Sequence, residues 1–102
     1  MMNRKLPIEI PSDKVASFCD QYHILKLSLF GSILREDFNP DSDIDVLVEF
    51  EPNHVPGLIR LAGMEIALTE ILVRKVDLRT PEDLSHRFRQ KVLDLALVQY
   101  VH

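Results

Sequence analysis

Apolar positions change their period several times along the chain, and each change predicts an element. Val15, Phe18, Cys19 and Tyr22 recur at i, i+3, i+4 and i+7, the spacing of one helical face, and Ser12 or Asp13 is placed to cap its start. Residues 26–30 then read as a strand, closed by Gly31, which suits a tight turn, and residues 32–37 as a short helix. Asn39, Pro40, Asp41 and Ser42 carry turn chemistry throughout. From Asp43 the pattern alternates. Ile44, Val46, Val48 and Phe50 fall on one side of a strand, and Asp43, Asp45, Leu47 and Glu49 on the other. The first set predicts the core side.

Residues 51–57 hold two prolines and a glycine and read as a loop. Leu58, Leu61, Ala62, Leu68, Ile71 and Leu72 mark a second long helix. A third short strand is expected within residues 72–78, with Val76 and Leu78 facing one way and Asp77 the other. Thr80, Pro81, Glu82 and Asp83 read as the start of a last helix: a cap, a proline at the first position, and two acids that complement the dipole. Leu84, Phe88, Val92 and Leu95 would stripe it. The order α-β-α-β-α-β-α predicts an α/β (α+β) domain, a small mixed sheet with flanking helices. One such domain accounts for residues 1–102, with no repeat and no low-complexity tract.

Composition narrows the partners. Of the 102 residues, 46% are apolar and 27% charged, an ordinary globular balance. The net charge of −4 argues against broad binding to nucleic acid, which draws on Lys and Arg to neutralise phosphates. Cys19 stands alone, so an internal disulfide is excluded and a reduced, cytoplasmic setting is expected. Arg4 and Lys5 are followed by no apolar run of the kind a secretory signal needs. No stretch approaches the roughly 20 apolar residues of a membrane span.

The chemistry concentrates between Phe30 and Phe50. Asp43 and Asp45 share one strand face about 7 Å apart at Cα. Asp77 lies mid-strand, where aspartate is depleted, and it joins the pair if its strand lies beside theirs. Three clustered carboxylates repel one another, and a bound cation removes that penalty. Taken alone, the first two are equally what a solvated strand start after a turn would carry. Gly31 and Ser32 also fit an ordinary strand-to-helix turn, whose free N–H groups can meet an anion.

Gly31-Ser32, ten residues, then Asp43-x-Asp45 resembles the nucleotidyltransferase signature of the polymerase-beta superfamily. Residues 40–50 resemble most closely its minimal nucleotidyltransferase (MNT) branch, of the MntA-like antitoxin type. The resemblance implies that Asp43, Asp45 and Asp77 are catalytic and hold one or two Mg²⁺, with Asp77 at the second ion helping to deprotonate the attacking hydroxyl. It implies that Gly31, Ser32 and Arg35 bind the phosphates of a nucleoside triphosphate, ATP being expected. The hydroxyl would attack the alpha phosphorus and pyrophosphate would leave. Ile33, Leu34 and Glu36 stand where the family often carries small residues.

So short a chain leaves the acceptor to another molecule. The family implies a HEPN-type toxin, modified on a tyrosine hydroxyl by the MNT protein as antitoxin; whether the chain also pairs with itself is left open. Two other readings remain: a binding module that silences a partner by contact alone, and a nucleotidyltransferase acting on a small molecule. Arg79 and His86 imitate the Arg-x-His signature of HEPN ribonucleases, but Pro81 puts Arg79 ahead of the helix that such a pair requires. His23, His54 and His102 show no metal-ligand spacing and read as surface or loop residues.

Overall fold

A computed structural model of the chain describes residues 6–102; the lead-in containing Arg4 and Lys5 lies outside them. Three helix-and-strand pairs and a last strand follow in order: α1 (Ser12–Gln21) and β1 (Ile24–Phe30), β2 (Ile44–Phe50) and α2 (Leu58–Leu72), β3 (Val76–Arg79) and α3 (His86–Leu95), then β4 (Leu97–Val101). Three short 3₁₀ turns intervene, at Gly31–Leu34, Pro52–His54 and Pro81–Asp83. The sheet runs in the order β3-β2-β1-β4. β2 pairs with β3 in parallel and β1 pairs antiparallel with both β2 and β4, so the sheet is mixed, as expected.

The alternation in β2 sorts its side chains as the pattern predicts. Ile44, Val46 and Val48 are fully buried, against Leu27 and Leu29 of β1 and Val76 of β3. The helical stripes cover that face. α1 contributes Val15, Phe18 and Cys19, and α2 contributes Met64, Leu68 and Leu72 at every fourth position. Burial pushes the Cys19 thiol up to about 12, so this cysteine packs as a small apolar side chain and does not react. β3 is an edge strand, and α2 covers its free groups. Leu78 donates its N–H to the Glu65 carboxylate at 2.8 Å, and Val76 donates to the Thr69 hydroxyl at 3.2 Å, which blunts an edge open to pairing with another chain.

Several boundaries depart from the sequence expectation. Helix α1 starts at Ser12 with Pro11, not Ser12 or Asp13, in the cap position. The expected helix over 32–37 is only the turn Gly31–Leu34, because four residues are stopped by the extended backbone of Arg35. β3 begins at Val76, since α2 continues to Leu72. Thr80 does meet Asp83, whose carboxylate accepts from its N–H at 3.1 Å, but this closes a turn and not the last helix. Leu84 returns to extended backbone, and α3 starts afresh with Ser85 as its cap. Leu84 therefore lies outside the predicted stripe. The C-terminal strand β4 was not expected at all; Leu97–Val101 finds its place only because the outer edge of β1 accepts it.

Helix α2 ends on Val73, with φ +56, in the left-handed region. A β-branched residue there pays about 1–2 kcal/mol, and its side chain is 81% exposed, so little packing offsets the cost. Val73→Gly should therefore stabilise the fold by about 1 kcal/mol, visible in a thermal melt as a rise of roughly 4–8 °C for a domain of this size. An unchanged or lowered melting temperature would show that the valine makes contacts that matter.

Candidate active site

The strand register decides what the sequence left conditional. Asp45 of β2 is the direct partner of Asp77 of β3 in a parallel ladder, so the two carboxylates stand side by side on the face opposite the core. Asp43, one residue before β2, is exposed at the mouth of the same face. Asp45 is half-buried, and its carboxyl titrates above the usual range. Burial is the main cause; the neighbouring Asp77 and Asp43 charges add to it, while the Ser32 N–H and the Arg79 guanidinium oppose it. Mutual repulsion among the carboxylates is thus present in the fold.

The turn after β1 completes the arrangement. Gly31 has φ +73, and a Cβ built there would run into the Asp45 carboxylate. Glycine is needed twice over, for backbone and for space. Ser32 donates its backbone N–H to Asp45 and its hydroxyl to the Asp43 carbonyl oxygen at 3.3 Å, tying the turn to the start of β2. Ile33 is buried in the core at 2% exposure, which explains a large side chain where a small one was anticipated: it anchors the turn from below. Arg35 is exposed, with Asp37 at 3.8 Å as its ionic neighbour among the described residues. Gly31→Ala should abolish function and cost about 1–2 kcal/mol of stability from backbone strain alone. A calorimetric titration with Mg-ATP, run beside a thermal melt, checks both; retained nucleotide affinity would disconnect the turn from the site.

Two features escaped the sequence. Arg79, known there only as part of a decoy, donates to Asp77 at 3.1 Å, and that hydrogen bond, with the Asp77 charge behind it, holds its guanidinium above its ordinary range. His86, its supposed companion, opens α3, so the two belong to different elements. The second feature is a cleft of about 610 Å³ beside Gly31, between Phe30, Leu34 and Arg35 on one side and Phe88, Lys91, Val92 and Leu95 of α3 on the other. Phe30 is the direct β-partner of Asp45, so the cleft opens next to the carboxylates. Nothing in the sequence pairs α3 with this turn. Leu47 was expected on the outer face and lies there, yet it is 2% exposed. The face is therefore closed at the Leu47 end and open at the aspartate end.

The donor set suits a hard dication: carboxylate oxygens, no sulfur or imidazole, on a rigid strand pair. Among the described residues the three carboxylates are gathered but not drawn within 4.8 Å of one another, as repulsion and the pull of Arg79 on Asp77 dictate.

Residues 12–98 match the nucleotidyltransferase domain family. The chain belongs to the minimal nucleotidyltransferases of the polymerase-beta superfamily. It is 33% identical over 79 residues to a candidate protein adenylyltransferase of Methanocaldococcus jannaschii, covering 78% of this chain and 79% of the relative. It is 31% identical over 74 residues to the protein adenylyltransferase MntA of Thermococcus cleftensis, covering 72% and 73%. Among solved structures, a candidate minimal nucleotidyltransferase superposes with a TM-score of 0.69 at 32% identity, over 84% of this chain and 86% of that one. A toxin–antitoxin crystal structure with AMP-PNP superposes with a TM-score of 0.73 at 20% identity, over 91% and 75%, a likeness of fold. This minimal nucleotidyltransferase is accordingly an enzyme that transfers a nucleotidyl group. No helix among its described residues is long and apolar enough to cross a membrane.

Proposed function

We propose that this minimal nucleotidyltransferase transfers AMP from ATP to a hydroxyl of a partner protein, as the antitoxin of a HEPN/MNT pair in the cytoplasm. Asp43, Asp45 and Asp77 are its catalytic and metal-holding residues, with one or two Mg²⁺, and Gly31, Ser32 and Arg35 its nucleotide-binding ones. The observation that carries the reading is the pairing of Asp45 with Asp77 on an open face, directly beside the Gly31 turn. Relatives named protein adenylyltransferases and a similar fold in a toxin–antitoxin complex support the choice of donor and acceptor.

Each residue has a task that follows from its place. Ser32 fixes Asp45 through its N–H, so the carboxylate is oriented before substrate arrives. Gly31 lets substrate phosphates approach the strand ends without a side chain in the way. The cleft between Phe30 and Phe88 offers apolar walls for a nucleoside, and Arg35 and Lys91 place positive charge on its lining. Asp77 is positioned to accept the proton of the attacking hydroxyl once its ion pair with Arg79 loosens, and Arg79 is then free to meet phosphate oxygen. A bound dication would supply charge neutralisation and alignment of the triphosphate. No protein nucleophile is required, since the acceptor hydroxyl attacks directly.

The test is intact mass measurement of the cognate HEPN-type protein after incubation with this chain and Mg-ATP. A gain of one or more AMP groups, mapped to a tyrosine, is expected. Neutralisation of the partner with no gain in mass would replace the enzyme by a contact inhibitor. AMP appearing on a small molecule instead would move the acceptor class.

A further inference from the structure

We propose a second metal site, made by His23, Glu51 and His54, for a transition-metal dication of the Zn²⁺ class. It lies at the other end of the sheet from the aspartates. Glu51 follows β2 and His23 precedes β1, whose Ile24 pairs with Phe50; six residues of strand, about 20 Å, separate Glu51 from Asp45. The sequence shows no ligand spacing here because the three residues come from two separate connections.

The fold brings them together. One donor atom from each residue lies within 4.8 Å of the others. His23 Nδ1 is 3.4 Å from the Glu51 carboxylate, and the two imidazole rings stack at 3.8 Å between centroids. The backbone holds all three in place. Glu51 donates its N–H to the His23 carbonyl at 3.0 Å, and His54 donates to the Glu51 carbonyl at 2.9 Å. The Pro52–His54 turn sets Glu51 and His54 three residues apart on one side. His23 itself is held at φ +57, in the left-handed region that histidine enters more readily than most residues, and its ring lies against that of His54 in the second loop.

Two imidazoles and one carboxylate form a ligand set that prefers Zn²⁺ and its neighbours to Mg²⁺, so this site and the aspartate face differ in kind. A tetrahedral ion with bonds of about 2.0–2.1 Å holds its ligands roughly 3.3 Å apart. The donors must therefore close by about 1.5 Å at most, and one ring must turn out of the stack to aim its lone pair. Both histidines are exposed, so rotation meets no packed wall. Three protein ligands leave a coordination position open to water or to a donor from another molecule. The ion would clamp the α1–β1 turn to the β2–α2 loop.

Calorimetric titration of the full chain with Zn²⁺, in excess Mg²⁺ to occupy the aspartate face, tests the assignment. One equivalent of Zn²⁺ should bind, and the melting temperature should rise with it. His54→Ala, Glu51→Gln and His23→Gly should each weaken binding at least about tenfold; glycine is chosen at 23 because it keeps the positive φ available. Asp43→Asn should leave this equivalent untouched, so failure here and failure of the transferase reading are separable. Absence of saturable Zn²⁺ binding would overturn the site. So would binding that survives in the His23→Gly, His54→Ala double variant or disappears in Asp43→Asn. Melts of each variant without metal show whether it is folded, and only folded variants enter the comparison.

Discussion

Asp43→Asn or Asp45→Asn should reduce AMP transfer to the partner below detection and abolish Mg²⁺-dependent ATP binding. Residues that merely orient metal ligands already cost about 10–100-fold in metal affinity or activity when replaced, and a direct ligand costs more. The fold should survive both changes. Asparagine keeps an acceptor oxygen for the Ser32 N–H and removes charge from a site where burial, Asp77 and Asp43 all raise the Asp45 carboxyl. A carboxyl raised in the folded state contributes stability below its unfolded pKa and loses it as pH rises through the folded value. At neutral pH the metal-free wild type therefore carries the cost of the charged cluster, and Asp45→Asn relieves it. The variant should melt at or above the wild-type temperature at neutral pH, and its advantage should vanish in acid. Calorimetry with Mg-ATP, intact mass of the partner and melts across pH provide the three readings. Unchanged Mg-ATP affinity in both variants would overturn the site assignment, and a partner still neutralised by Asp43→Asn without any gain in mass would favour the contact inhibitor.

Asp77→Asn should separate transfer from binding. Asp77 shares its face with Asp45 but is engaged by Arg79 at 3.1 Å, so it is less free to take up a cation in the absence of substrate. Its proposed work is on the attacking hydroxyl, and loss of such a proton acceptor costs about 10²–10⁴-fold. Transfer should fall by at least about 100-fold while ATP affinity changes less than about tenfold. Single-turnover transfer rates beside calorimetric affinities decide it. Equal losses would make Asp77 an ordinary ligand. Full transfer would leave it only the ion-pair partner of Arg79.

What the sequence determined by itself is local and periodic. Alternation at 44–50 assigned a buried and an acidic face before any pairing was known, because side chains on a strand can point only two ways. The stripes of α1 and α2 predicted the helices that cover the buried face, and the Gly31-Ser32 and Asp43-x-Asp45 spacing carried the family. Even the need for glycine at 31 was legible as a turn, though not as the absence of a Cβ against Asp45.

What only the tertiary structure decided is everything that depends on which elements become neighbours. The parallel register of β2 on β3 turned an isolated Asp77 into the partner of Asp45, and a slip of one residue would have sent it to the core face. The same register set Arg79 beside the site. Strand β4 exists because β1 has an edge to fill, a stabilisation no window of sequence contains. Thr80 and Pro81 announced a helix, and the chain used them for a short turn that stops at Leu84. His23 and His54 lie 31 positions apart, and their meeting with Glu51 follows from the hydrogen bonds between two loops. Hydrophobic period reports which way a side chain faces; the hydrogen-bond ladder and loop closure decide what it faces.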